Sequence, residues 1–378
     1  MMKIILVVAA RPNFMKVSPI WHELAKSPDA FQPVLVHTGQ HYDARMSDVF
    51  LQELDMPEPH RHLGVGSGSH AAQTARVMMA FEGVLLEEKP DLVVVVGDVN
   101  STVACAIDAA KLLIPVAHVE AGLRSGDRRM PEEINRVLTD AISDLLLTPS
   151  EDANRNLRGE GVADEKIHFV GNVMIDSLRL LEGRADASHV LESLDLTAGR
   201  YALVTLHRPS NVDERETFRG ILSALDHIQG HIPVVFPAHP RTEKAIEQFG
   251  LRDGVSRMRG LRLIEPMGYL DFLKLQKHAA LVLTDSGGIQ EETTVLGVPC
   301  LTLRENTERP ATVEVGTNTV VGVAPERIVA EADAVLGGRY KAGRIPDLWD
   351  GRAAQRIVAV FREFSRSDAT TQKAGEGG

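Results

Sequence analysis

The segment Thr284-Asp-Ser-Gly-Gly-Ile-Gln-Glu-Glu-Thr293 lies between two apolar runs, Ala279-Ala-Leu-Val-Leu283 and Val295-Leu-Gly-Val-Pro-Cys300. This order predicts a buried strand ending at Asp285 and a helix starting near Ile289, with Ser286, Gly287 and Gly288 between them. Backbone N–H groups at such a helix start have no intrahelical partner, and the helix dipole favours an anion there. Two residues without side chains would let a phosphate reach that backbone. A tight turn needing positive φ is the competing reading. Glu292, in the same helix, is expected to face the same mouth, where a carboxylate accepts both hydroxyls of a ribose.

Other predicted strand ends carry polar clusters. Arg11 and Lys16 flank Pro12, a residue suited to a first helical turn. Both cations oppose the helix dipole unless an anion is present, although solvated surface cations would look the same. Asp98 follows the run Leu92-Val-Val-Val-Val-Gly97, and Glu120 follows Val116-Ala-His-Val119, so two carboxylates emerge at neighbouring strand ends. Asp98 has an ordinary alternative as the cap of a helix starting at Ser101. Glu120 has none, because a carboxylate there is costly to bury unless paired or used in chemistry. Met130-Pro-Glu132-Glu-Ile-Asn-Arg136 opens an amphipathic helix in which Glu132 and Arg136 share the i, i+4 face. One of Glu132 and Glu133 is expected only to complement the dipole. His207 and His239 stand at two further strand ends, each near an arginine, and suit anionic oxygens and proton transfer. These histidines lack metal-ligand spacing and no Cys-His cluster accompanies them, so no metal is expected.

Positioning these groups requires a regular scaffold. Buried-strand candidates are 4–9, 33–37, 92–96, 116–119, 145–148 and 167–170, then 201–206, 233–236, 261–265, 279–284, 300–303 and 319–321. Helix-period segments separate them, among them 17–25, 101–112 and 131–146. The alternation predicts βαβ units on parallel sheets, and the strand, loop, helix, Pro, strand grammar of the first half returns in the second. The fold class is therefore α/β, with two Rossmann-like domains facing a central cleft. Residues 1–175 form the N-terminal domain and 176–352 the C-terminal one, with a helix over 353–366 packing back on the first and a disordered tail from Arg366. The chain has 378 residues and a net charge of −11, without any basic run, which excludes a nucleic-acid backbone as partner. Cys105 and Cys300 are the only cysteines, both in apolar segments, which fits buried thiols in a reducing compartment. The first ten residues lack a signal cleavage site, and no run spans a bilayer. The expectation is a soluble cytoplasmic protein.

The set Arg11-Pro-Asn-Phe-Met-Lys16, Gly97-Asp98, His118-Val-Glu-Ala-Gly-Leu-Arg-Ser125, Pro131-Glu-Glu-Ile-Asn-Arg136, Thr205-Leu-His-Arg208, Asp285-Ser-Gly-Gly-Ile-Gln-Glu-Glu292 and Thr307-Glu-Arg-Pro310 resembles the non-hydrolysing UDP-N-acetylglucosamine 2-epimerases. The resemblance spans nearly the whole chain. It implies a glycosyltransferase-B-like pair of domains, a homodimer, and interconversion of UDP-GlcNAc and UDP-ManNAc without an external cofactor. It implies Asp98, Glu120 and Glu132 as acid/base carboxylates and His207 as a group near diphosphate or sugar. Arg11, Lys16, Ser286, Gly287, Gly288 and Arg309 would hold the diphosphate and sugar, and Glu292 the ribose. Arg136 and His239 join the binding set, and Phe272 with the backbone near Met267 would line the uracil pocket. The chain departs from the family at Ala9-Ala10, where Gly-Thr is usual, and in a short loop at 126–130. A second, activating substrate site in several members has Gln40 here but Asp43 and Ala72 elsewhere, which implies weak or absent activation.

Competing readings are a 2-epimerase of UDP-diacetamido-uronic acids, for which Arg128-Arg129 would suit a carboxylate, a hydrolysing epimerase, a UDP-sugar glycosyltransferase, and a non-catalytic sensor. The three-carboxylate set separates the epimerases from the last two.

Overall fold

A computed structural model describes residues 1–39 and 51–375. The chain divides into two compact units, Met1–Ser177 together with the chain from Asp347 onward, and Leu178–Pro346.

The first unit holds a seven-stranded parallel sheet, β1 (Met2–Val8), β2 (Phe31–His37), β3 (Arg61–His62), β4 (Leu92–Val96), β5 (Val116–Val119), β6 (Leu145–Thr148) and β7 (Ile167–Phe169). Their spatial order is β3-β2-β1-β4-β5-β6-β7. The chain runs outward one way from β1 and then resumes on its other side at β4, with Ile5 opposite Val34 on one flank and Val93 on the other. Ligands of doubly wound sheets sit beyond the strand carboxyl ends at such a reversal. The strands are near-continuous Val, Ile and Leu because both faces are covered. Ile5, Val7, Val93 and Val95 pack against Phe81 and Cys105 from flanking helices. Strand β3 has two polar residues and no period, which is why the sequence does not announce it.

The second unit repeats the arrangement with six parallel strands, β8 (Ala202–Thr205), β9 (Val234–Pro237), β10 (Leu261–Ile264), β11 (Leu281–Thr284), β12 (Cys300–Thr302) and β13 (Asn318–Val320), ordered β10-β9-β8-β11-β12-β13. Here the reversal falls between β8 and β11, with Thr205 opposite Thr284. Strand pleating divides the core, since Ala202 and Val204 face one cluster with Phe218 and Ile221 while Leu203 faces the other with Tyr201 and Leu275. Two Rossmann-like α/β units thus make up the chain, as in the glycosyltransferase-B-like class.

Two expectations need correction. The helix expected over 131–146 stops at Ile142, and Ser143 turns the chain into extended backbone. Leu145 and Leu146 are apolar because they open β6, a fully buried strand that a helical period cannot distinguish from a helix end. The tail expected to be disordered from Arg366 continues a helix spanning Ala353–Gly375. Neither proline nor glycine interrupts that segment before Gly375, so nothing in the chain stops the helix. Within the first unit this helix starts on Asp176, whose carboxylate accepts from the Ala353 and Ala354 N–H groups at 3.0 and 2.8 Å. Trp349 Nε1 donates to the Pro149 carbonyl at 2.9 Å just before it. Both cysteines are buried and free, and burial pushes the Cys300 thiol up to about 12. No helix among the described residues is long and apolar enough to cross a membrane.

Candidate active site

In the first unit the site grows from the carboxyl ends of β1, β4 and β5. The helix Arg11–Ala25 starts directly after β1, and Asn13 fixes that turn. Its Oδ1 accepts from the Ala9 and Ala10 N–H groups at 3.2 and 3.0 Å, and its Nδ2 donates to the Val96 carbonyl at 3.2 Å. The two strand ends at the reversal are therefore tied by one side chain. One turn later Lys16, buried, forms an ion pair with Glu120, also buried. The surface-cation reading of Lys16 is thereby replaced. Arg11 opens the helix, and its side chain lies outside the described ones.

Gly97 makes this pairing possible. A β-carbon there would lie 2.8 Å from Lys16 Nζ and 3.5 Å from Glu120 Oε2, and the residue sits at φ +68°. Glu120 itself stands at φ +69°, a left-handed conformation rare outside glycine and costing about 1–3 kcal/mol. Strained backbone of this kind persists where the surroundings over-determine it.

Behind these residues His118, fully buried, bridges Asp140 Oδ1 at 2.6 Å and the Gly97 carbonyl at 2.8 Å. Burial works against ionisation of Asp140, but His118 and then Arg124, 2.7 Å away, outweigh it and hold the carboxyl below the usual range. The motif His118-Val-Glu-Ala-Gly-Leu-Arg124 thus places His118 and Arg124 on one buried carboxylate and leaves Glu120 to face the strand ends.

Asp98 does not cap the helix Asn100–Lys111, whose N-cap is Val99. It pairs instead with the buried Arg136, at 3.0 Å from Nε and 2.6 Å from Nη2. Arg136 also reaches Glu133 at 2.7 Å, not Glu132 at i−4 as expected. The reason is local. Glu133 is buried and accepts from the Ser125 N–H, the Ser125 hydroxyl and the Gly126 N–H at 2.9, 3.0 and 2.8 Å, which turns it inward. Glu133 is therefore the structural carboxylate of the pair, and these bonds with Arg136 overcome burial to hold it below its ordinary value. Glu132 is half-buried, with no hydrogen bond or ion pair among the described residues.

In the second unit the polar groups gather where β8 and β11 end. Asp285, fully buried, accepts from the His207 and Arg208 N–H groups and from Asn211 Nδ2 at 3.0–3.2 Å, and His207 Nδ1 lies 2.9 Å from its Oδ1. His207 and these donors override burial and keep Asp285 below the usual carboxylate range. Sequence reading passed over Asp285, whose signal is an acid directly closing an apolar strand. The ring of His207 is about half exposed, with Nδ1 oriented by a carboxylate, the arrangement that fixes an imidazole for proton or oxyanion work.

Helix Gly287–Leu296 follows, with Ser286 as its N-cap. Neither Gly287 nor Gly288 is among the residues at positive φ, so the tight-turn reading fails. Gly287 is needed for close approach: a β-carbon would lie 2.8 Å from Glu308 Oε1 and 3.3 Å from the Arg309 guanidinium. Arg309, buried, pairs with Glu291 at 2.8 Å and Glu308 at 3.2 Å. Thr307 anchors that loop, donating to Gln290 Oε1 at 2.7 Å and accepting from the Arg309 N–H at 3.1 Å. A guanidinium thus lies against the first turn of a helix whose N-terminus carries unpaired N–H groups, which is an anion-binding arrangement.

Glu292, expected at the mouth, is buried and accepts from the Tyr269 hydroxyl at 2.8 Å. His239 is exposed and caps the helix Pro240–Gln248, its Nδ1 accepting from the Arg241 N–H at 3.2 Å. Burial, then His207 and Arg241 nearby, lower its basicity. Met267 and Phe272 are half-buried against the cluster of Tyr201 and Leu275. Arg129, one of the pair considered for a sugar carboxylate, forms a two-pronged bond to Asp127 at 2.8 Å on both prongs. Gln40 and Asp43 lie outside the described residues, and Ala72 is exposed on the helix His70–Glu88.

The chain is similar to known proteins over nearly its whole length. The family model for UDP-N-acetylglucosamine 2-epimerase matches residues 22–362. A UDP-N-acetylglucosamine 2-epimerase of Methanocaldococcus jannaschii is 44% identical over 95% of this chain and 99% of its own length. A UDP-2,3-diacetamido-2,3-dideoxy-D-glucuronate 2-epimerase of Pseudomonas aeruginosa is also 44% identical, over 89% of this chain and 92% of its own. The crystal structure of the M. jannaschii UDP-GlcNAc 2-epimerase in complex with UDP-GlcNAc and UDP superposes with a TM-score of 0.88 at 43% identity, covering 96% of this chain and all of that one. The Neisseria meningitidis UDP-GlcNAc 2-epimerase bound to UDP-GlcNAc gives 0.88 at 30% identity, covering 96% of this chain and all of that one. With matches of this length and identity, the chain belongs to the UDP-N-acetylglucosamine 2-epimerase family.

Proposed function

We propose that this protein reversibly inverts C2 of UDP-N-acetylglucosamine to give UDP-N-acetylmannosamine, by elimination and re-addition of UDP. The observation that carries the reading is the carboxylate set at the ends of β4 and β5, Asp98 on Arg136 and Glu120 on Lys16, with Glu132 beyond them. The C2 hydrogen is not α to a carbonyl, so its removal yields no enolate. Loss of UDP from C1 supplies the alternative. A carboxylate takes the C2 proton, the C–H electron pair becomes the C1–C2 double bond of a 2-acetamidoglucal, and the C1–O pair leaves with UDP. Re-addition reverses the bonds, with the proton delivered to the opposite face of C2. A base and an acid each contribute on the order of 100- to 10,000-fold.

Asp98, Glu120 and Glu132 are the acid/base carboxylates of this reading. Lys16 and Arg136 set their charge and also suit the departing diphosphate. In the second unit Ser286, Gly287, Gly288 and Arg309 would hold the diphosphate, with His207 on its Asp285 support beside it, and Met267 and Phe272 would flank the uracil. Glu292, oriented by Tyr269, would take the ribose. Arg11 and His239 complete the anion-binding set. The protein would work without an external cofactor, as a cytoplasmic homodimer. Large exposed apolar side chains on the first unit, Met79 and Leu86 two turns apart on the same face of the helix His70–Glu88, favour a second copy.

The Pseudomonas relative, equally identical, favours a second reading in which the substrate is a UDP-diacetamido-uronic acid. Proton NMR of the protein with UDP-GlcNAc in deuterated water tests both. A UDP-ManNAc anomeric signal with deuterium entering at C2 is the expected result. Free ManNAc would mean a hydrolysing enzyme, and no change with UDP-GlcNAc but turnover of the uronate would move the substrate to the second reading.

A further inference from the structure

The second unit carries a group of side chains that the epimerase reading leaves unused. His227 lies in the last turn of the helix Arg215–Gln229, and His231 follows its Gly230 cap, so the two histidines are four residues apart. Their rings lie 4.9 Å apart between centroids. Asp333, on the helix Pro325–Leu336, reaches back so that its two carboxylate oxygens lie 3.0 and 3.2 Å from His227 Nε2. One donor atom from each of the three residues falls within 4.8 Å of the others. All three line a cleft of about 750 Å³ that also includes Gly199, Arg200 and Ala280.

The location separates this group from the anion-binding cluster. Gly199 and Arg200 precede β8, Ala280 precedes β11 and His231 precedes β9, so the cleft lies at the amino-terminal edge of the sheet. His207 and Ser286 follow β8 and β11 at the opposite edge. Ligand sites of doubly wound sheets belong to the carboxyl edge, and nothing in the epimerisation asks for imidazoles at the other.

We propose that His227, His231 and Asp333 form a site for a divalent transition-metal ion of the zinc type, which clips the helix 215–229 to the helix 325–336. Two imidazoles and one carboxylate are a donor set for such ions, and a three-residue set leaves further positions to water. Ligand atoms on a common ion at about 2.0–2.2 Å lie roughly 3 Å apart, the separation already present between His227 Nε2 and Asp333. Binding moves one proton within the His227 ring: Nε2–H, which donates to Asp333, becomes Nδ1–H, and the Nε2 lone pair and an Asp333 oxygen turn to the metal. All three side chains are at least partly exposed, so the ion can enter without unfolding.

The test uses the full chain, treated with a chelator and then titrated with Zn²⁺ by calorimetry and with Co²⁺ by visible absorption. One equivalent should bind, with Co²⁺ ligand-field bands. His231→Ala and Asp333→Asn should each weaken binding by more than the about 10- to 100-fold that loss of an outer-shell partner brings. Zn²⁺ should raise the melting temperature of the wild-type chain and not of the His227→Ala/His231→Ala double variant, while all variants keep their fold by circular dichroism. Binding that survives unchanged in the double variant, or no binding by the wild type, overturns the proposal.

Discussion

Lys16 and Glu120 neutralise each other inside the protein, yet both line the reversal point where the substrate of a doubly wound sheet would sit. Breaking such a pair usually destabilises, because the remaining charge is left buried. The chemical prediction must therefore keep the shape. Glu120→Gln preserves volume but removes both the proton acceptor and the charge opposite Lys16, so in protein that keeps its fold by circular dichroism turnover should fall by about 100-fold or more with UDP binding largely retained. Ser286→Ala and Arg309→Ala, on the anion-binding helix, should instead raise the dissociation constant for UDP. Calorimetric UDP titrations beside the rate measurements separate the two, and an equal loss of binding in all three variants would defeat the role assignment. At this scale the sequence is legible where a charged residue ends an apolar strand, as at Asp98, Glu120 and His207. It is silent where chemistry depends on which of two neighbours turns inward. Glu132 and Glu133 are the same residue type side by side, and only the N–H groups of Ser125 and Gly126 decide between them.

Among elements, the helix Asn100–Lys111 shows how a covering layer can hold an uncompensated charge. It packs Ala104, Cys105 and Ala109 on the sheet and carries Asp108, buried, with Oδ2 lacking a hydrogen-bond partner. Burial first and Glu82 second raise this carboxyl to about 6, while Lys111 partly opposes them. A raised carboxyl value means that the neutral form is favoured in the folded state. That contribution to stability is complete at low pH and is lost as pH rises through 6. Asp108→Asn mimics the neutral acid at every pH. It should match the wild type only below about pH 4, where the unfolded chain's carboxyl is also protonated, and exceed it at pH 8 by about 1–2 kcal/mol, after allowance for solvent reaching the group. For a unit of this size that is about 2–4 °C of melting temperature per kcal/mol. Equal melting temperatures at pH 8 would refute it. The elements themselves were largely readable, since β4 and β6 are uninterrupted β-branched or leucine runs closed by Gly97 and Pro149, and β5 is a short Val-Ala-His-Val run closed by Glu120. The reading failed where periods overlap, as at Leu145, and where elements are too short to have one, as at Arg61. It also passed over His227 and His231, whose four-residue spacing matters only once Asp333 arrives from a helix about a hundred residues later.

For the whole molecule, the second unit is a continuous stretch, Leu178–Pro346, whereas the first is made of two. The continuous stretch has its own sheet and two buried clusters on its faces. Expressed alone, residues 178–346 should fold, giving a cooperative melting transition by circular dichroism, and should retain UDP affinity within about tenfold of the full chain. A non-cooperative profile would mean that the second unit depends on the first. The same discontinuity dictates an order of events during synthesis. The ribosome delivers residues 1–177 first, but Asp176 awaits the N–H groups of Ala353 and Ala354, and Pro149 awaits Trp349. The portion made first therefore stays incomplete until the portion made later has already closed on itself. The amino-terminal half of the nascent chain waits with an unfinished edge while its successor matures, and is the part that a chaperone would have to guard.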